Sequence, residues 1–153
     1  MSKSHFVFSL AATFLGFVSL VSVAQAQCPK RSYNERDREV IRESVILPAA
    51  DRLLAAQNEA DYVVSGDQTF TLESDERAYR QLIEEVRSQF SSLDNVRVTP
   101  RSKRWILSMG EEVSALVSST SLIPAEENMP PKLQALESSR RIGWTIRTLL
   151  ACF

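Results

Sequence analysis

Histidine is almost missing from this chain. The single copy, His5, falls in an apolar run near the start, and residues 27–153 contain none. That absence removes the commonest general base, metal ligand and haem ligand together. Cysteine is nearly as scarce, with Cys28 and Cys152 standing at opposite ends of residues 27–153. A Cys-x-x-Cys redox pair, a zinc-ligand spacing and a Cys-x-x-Cys-His haem motif are therefore excluded. Beyond residue 26 the only glycines are Gly66, Gly110 and Gly143, too scattered for a phosphate-cradling loop. A basic surplus is lacking too: 18 Lys+Arg stand against 19 Asp+Glu. Nucleic acid is thereby excluded as the main partner, because phosphate binding needs a marked positive excess. The carboxylates come mostly as adjacent pairs, Glu84-Glu85, Glu111-Glu112 and Glu126-Glu127. Neighbours on a helix point in different directions and do not converge on an ion. No metal, no cofactor and no catalytic residue is expected.

What is present begins with an export signal over residues 1–26. Lys3 gives a weakly positive start, and Phe6 to Val23 is nearly all apolar. Ala24-Gln25-Ala26 then places small residues where signal peptidase reads, predicting a cut between Ala26 and Gln27. The apolar run, about 18 residues, is borderline for a spanning helix, and no basic stop-transfer cluster comes after it, so cleavage is preferred to anchoring. Lipidation of Cys28 would need Gly or Ala just before it, where Gln27 stands. The Ala-Gln-Ala-Gln sequence is in the style of Gram-negative bacterial signals, so the expected location is the periplasm, with secretion the alternative. Loss of Lys3 takes the formal charge from −1 to −2. Residues 27–153 are expected to form a single domain, long enough to bury a core, without insertion into the membrane.

Hydrophobic spacing over this domain is helical. Ser32-Tyr33-Asn34-Glu35 fits a capping box that opens the first helix. Val40, Ile41 and Val45 mark its inner face. Pro48 should kink or break it, because proline removes a backbone donor and clashes with the preceding turn. Ser74 is expected to cap a second helix, in which Tyr79, Leu82, Ile83, Val86, Phe90 and Leu93 recur at three and four residues. Thr99-Pro100 opens a third, with Trp105, Ile106, Met109, Val113, Leu116 and Val117 on its face. A fourth starts near Pro130-Pro131 and carries Leu133, Leu136, Ile142, Ile146, Leu149 and Leu150. Trp105 and Trp144 are placed in or beside the core. Two stretches depart from the helical period. Tyr62-Val63-Val64 and Thr69-Phe70-Thr71-Leu72 allow a small β-hairpin over residues 62–72, and residues 95–98 suit an extended linker.

The expected fold class is therefore all-α, an up-down-up-down four-helix bundle. That topology brings the start of the first helix and the end of the fourth to one end of the molecule. Cys28 and Cys152 would then meet, and an oxidising compartment would join them. A loop this long stabilises by roughly 5 kcal/mol in the chain-entropy model, although real disulfides often deliver less. The bond would also leave no thiolate nucleophile.

Two charge clusters remain. Glu35-Arg36-Asp37-Arg38-Glu39, with Arg42 and Glu43, reads as an exposed helical turn with pairs such as Glu35–Arg38 and Glu39–Arg42. Arg97, Arg101, Lys103 and Arg104 gather around the start of the third helix, where the backbone is already positive. They are the candidate partner-binding residues, fitted to an anion or an acidic protein unless neighbouring acids neutralise them. Arg140 or Arg141 is expected to lean inward toward a carboxylate.

Among function classes, an exported helical binding or accessory protein leads: a chaperone, an inhibitor or immunity protein, or a secretion accessory. Its partner would be another periplasmic or envelope protein. One alternative is a histidine-free enzyme of the secreted chorismate-mutase style, with Arg52, Arg80, Arg140 and Arg147 converging inside the bundle, although no motif of that family is matched. The other is a carrier of a small apolar ligand, which requires a cavity.

Overall fold

A computed structural model describes residues 34–66, 72–126 and 128–153. The predicted signal segment, Cys28 and Ser32 lie outside these residues. The described chain is all-helical: α1 (Glu35–Ile41), a π-helical turn (Arg42–Ile46), α2 (Leu47–Ser65), α3 (Leu72–Ser91), α4 (Pro100–Ser118) and α5 (Pro131–Cys152). Because α1, the π turn and α2 run on without a gap, the bundle has four helical rods. No strand occurs among the described residues, and none of their helices is long and apolar enough to cross a membrane.

Several helix boundaries differ from expectation. The cap of α1 is Asn34, whose Oδ1 accepts from the Asp37 backbone N–H at 2.7 Å, and not Ser32. Asn is as good an N-cap as Ser, and here it sits one residue before the helix. Likewise α3 starts at Leu72, ahead of the expected Ser74 cap. Tyr62-Val63-Val64 is helical, which overturns the first arm of the hairpin; residues 67–71 lie outside the described part. Val63 is buried with Ala60 and Ala56 at helical spacing, so packing outweighs the β preference of its branched side chain. Residues 96–99 form an irregular linker, with Val96 buried as a plug.

Pro48 does not end the first rod. The Leu47 N–H bonds back five residues to the Arg42 carbonyl, the mark of the π turn. Proline would clash with the carbonyl four residues earlier, that of Ser44, and leave it without a donor. The widened turn makes room, and the Gln89 side chain of α3 donates to the Ser44 oxygen at 2.7 Å.

The packing order closes a ring: α2 lies against α5 and α3, α3 against α4, and α4 against α5, the last contact being the thinnest. The α3 stripe behaves as its spacing predicts, with Tyr79, Ile83, Val86 and Phe90 all buried. Each such aliphatic or aromatic side chain contributes roughly 1.5–3 kcal/mol by leaving water. Small residues are buried on both helices of the α2–α5 pair, Ala49, Ala56 and Ala60 on α2 and Ala135, Ser139 and Gly143 on α5, which suits a close approach of two helix axes. Gly110 does the same for α4: a Cβ there would lie 2.5 Å from Phe90 Cβ.

Because α4 meets α5 so sparsely, one flank of each stays open. Trp144 is 44% exposed and Leu116 43%, which corrects the core placement of both. Trp105 and Met109 pack only partly against the core. Leu133 and Leu150 are exposed as well.

Candidate partner-binding surface

Both ends of α4 are fastened by carboxylates from other helices. At its start stands Asp37 of α1, a buried acid in the middle of the charge run. Its Oδ2 accepts from the Ser102 hydroxyl at 2.7 Å, the Thr99 hydroxyl at 2.7 Å and the Thr99 backbone N–H at 3.2 Å. The Ser102 and Thr99 hydroxyls, with the Thr99 N–H and the nearby Arg36, hold its carboxyl below the ordinary carboxylate range, against the opposing effect of burial. Beyond the other end of α4, Glu76 of α3 accepts from the Leu122 N–H at 2.7 Å and the Ser121 hydroxyl at 3.0 Å. Tyr79 donates to Thr120 in the same region, and its hydroxyl titrates above the usual range because it is buried.

The predicted basic residues lie around the Asp37 end. Arg97, Arg101 and Arg104 are exposed and Lys103 is half-buried. None of the four has an ion-pair partner among the described residues. Arg36, also exposed, joins them: with Asn34, Asp37, Arg97, Val98 and Thr99 it lines a shallow depression between α1 and the linker into α4. The cluster thus draws cations from two segments.

A simple anion site at the start of α4 is not what these residues form. Thr99 N–H already has Asp37, Ser102 N–H has the Thr99 hydroxyl at 3.4 Å, and Pro100 has no N–H to give. The backbone end is neutralised by the protein's own carboxylate. The arginines stand around that filled cap, facing outward.

Elsewhere four of the arginines are engaged in ion pairs, while Arg42, Arg77, Arg140 and Arg147 have none among the described residues. Arg52 pairs with Glu85, Arg80 with Glu76, Arg87 with Glu84 and Arg141 with Glu137. Neither Arg140 nor Arg141 is buried, so the expected inward pairing is absent; Arg141 reaches Glu137 and Ser119 on the surface. Of the four arginines expected to converge, all on α2, α3 and α5, Arg52, Arg140 and Arg147 are exposed and Arg80 is half-buried. The expected Glu35–Arg38 and Glu39–Arg42 pairs are not formed. Arg38 instead donates to the main-chain oxygen of Phe153 at 3.0 Å, across 115 residues. That bond sets the start of α1 beside the end of α5. Cys28 lies outside the described residues, and no cysteine among those described is free.

Among the described residues no group of His, Cys, Asp and Glu is arranged to hold a metal ion. Asp37 and Arg36 lie hidden inside a run that reads as solvated surface. The one sequence signal for Asp37 is its place three residues after a good cap, Asn34. No family model matches the chain, and no curated protein or solved structure does so either.

Proposed function

We propose that this chain is an exported accessory protein that works by docking an acidic partner protein in the periplasm or envelope. The observation that carries the reading is the cluster Arg36, Arg97, Arg101 and Arg104. These cations are exposed at one end of the molecule and have no ion pair among the described residues, while the helix terminus beneath them is already capped by Asp37. A near-neutral protein that leaves several arginines unpaired at one place keeps a local field for an oppositely charged surface. Arginine suits this role because its planar fork engages carboxylates in pairs.

On the same reading the first 26 residues are a cleaved signal, and the rods alternate up-down-up-down, with the first bent where the π turn meets Pro48. The Arg38–Phe153 bond supports that order. It also favours a Cys28–Cys152 disulfide, since Cys28 is six residues before Asn34 in the sequence and the helix that Asn34 caps meets Phe153, the neighbour of Cys152.

The test is cross-linked capture from the periplasm with the unaltered protein and with R101E/R104E. One stoichiometric partner, lost in the variant at unchanged thermal stability, is the expected result. Equal capture by both proteins contradicts the reading.

A further inference from the structure

The depression at the basic end has a floor and a rim. Of the residues that line it, Asp37 is buried and Val98 half-buried, and these two form the floor. Asn34, Arg36, Arg97 and Thr99 are exposed and form the rim. Arg36 comes from the first turn of α1 and Arg97 from the linker into α4. The Thr99–Asp37 hydrogen bond fastens those two segments together, so both guanidiniums border one space. Neither has an ion pair among the described residues.

That floor does not suit a free anion. Its backbone donors are spent: the Asp37 N–H on Asn34, the Val98 N–H on the Val96 carbonyl at 3.1 Å, and the Thr99 N–H on Asp37. Asp37 is ionised at neutral pH, because its carboxyl titrates below the ordinary range, and it repels an anion that settles against it. A ligand is left with two long cations at the rim and the apolar Val98 below them. Such guanidiniums grip carboxylates that another body carries to the rim, and offer little to a lone small ion. A dense polyanion fits no better. Glu35 and Glu39 flank Arg36 in α1, and Asp94 precedes Arg97; all three are exposed without an ion pair among the described residues. A run of phosphates laid over the rim meets these acids as well as the arginines.

We infer that the part of the partner that docks here is a short acidic peptide segment, laid across the depression with one carboxylate on Arg36 and another on Arg97. Uncharged residues between the two carboxylates cover Val98. Arg101 and Arg104, on α4 outside this lining, supply longer-range attraction that steers the segment in. Such a segment rests on the docking reading of the basic end and adds its chemistry: spaced carboxylates on a polypeptide, and not phosphate.

The experiment is fluorescence anisotropy at low ionic strength with a dye-labelled peptide of alternating Glu and Ser. In an extended chain that alternation sets carboxylates about 7 Å apart on one face. The exported protein is compared with R36E/R97E, R36Q/R97Q and R77E/R140E. The last pair makes the same charge change beyond the far end of α4, where Glu76 meets Leu122 and Arg141 meets Ser119. All the replaced side chains are exposed, and thermal unfolding of each variant should match the unaltered protein. The expected result is saturable binding, weakened at least about tenfold by R36E/R97E, weakened less by R36Q/R97Q, and left unchanged by R77E/R140E. A peptide with Gln in place of Glu should not bind, and polyphosphate should compete no better than its ionic strength explains. No binding, an equal loss in R77E/R140E, or displacement by polyphosphate overturns the inference. A partner captured by the unaltered protein and lost in R101E/R104E, with no peptide binding, overturns the acidic segment and leaves docking standing. Peptide binding with no partner captured supports the segment and contradicts docking.

Discussion

Asp37 and Ser102 are joined carboxylate to hydroxyl at 2.7 Å across 65 residues. Through that bond the first helix supplies the negative charge that the start of α4 needs. It ties the opening of the chain to the third rod and prevents the basic cluster above it from facing a bare positive helix end.

Replacing that acid should weaken the fold at neutral pH and flatten its acid response. The folded-state carboxyl of Asp37 is depressed, so its contribution is fully present above the ordinary unfolded value of about 3.9. The contribution is lost as pH falls through the depressed folded value. D37N should cost about 1–3 kcal/mol near pH 7, the range for a buried charge-assisted hydrogen bond. Urea unfolding of both proteins through the acid range checks this. The gap between them should close as pH drops below about 4, and a constant gap would show that the charge is not what matters.

Gly110→Ala should destabilise the bundle more than Gly143→Ala. The added carbon at 110 meets Phe90 Cβ at 2.5 Å, and a Cβ cannot swing away without moving its helix. At 143 the obstacle is the end of the Gln57 side chain at 2.9 Å, which can turn aside. Overpacking of the first kind costs about 1–3 kcal/mol. Thermal unfolding of the two variants gives the order directly.

The Gln89–Ser44 bond and Pro48 should be energetically coupled. Q89A removes the donor that serves the Ser44 carbonyl in place of the N–H that Pro48 lacks, at a cost of about 1 kcal/mol. In a P48A background the restored backbone N–H can serve that carbonyl, and Q89A should then cost less. A double-mutant cycle in urea measures the difference; strict additivity would contradict the assignment.

The proposed Cys28–Cys152 bond predicts no reactive thiol in the exported protein under denaturing, non-reducing conditions. C152S should lower stability by roughly 2–5 kcal/mol. Two titratable thiols in protein purified from the periplasm would rule the bond out.

Local features of this fold are legible in the sequence, and long-range ones are nearly invisible there. Tyr79, Ile83, Val86 and Phe90 announce a buried helix face by spacing alone, and Thr99-Pro100 and Pro131 mark helix starts within a residue of where they fall. Asp37 cannot be recognised as buried, because its partners lie 62 and 65 residues away. Trp144 is misplaced by its spacing for a related reason. Its position on α5 suits a core, but burial there requires α4 to close on α5, and the thin contact between those helices emerges only in three dimensions. Val63 and Val64 illustrate the opposite error, where a local β preference yields to the helical packing of Ala60 and its neighbours.

Docking of an acidic partner protein by the basic end is tested most directly by quantitative cross-linked capture from the periplasm, comparing the unaltered protein with R101E/R104E across a salt series. One partner should be recovered at stoichiometric yield, released as salt screens the contact, and absent from the variant at every salt concentration. Recovery of the same partner at the same yield by both proteins, or no enriched partner at low salt, would contradict such docking.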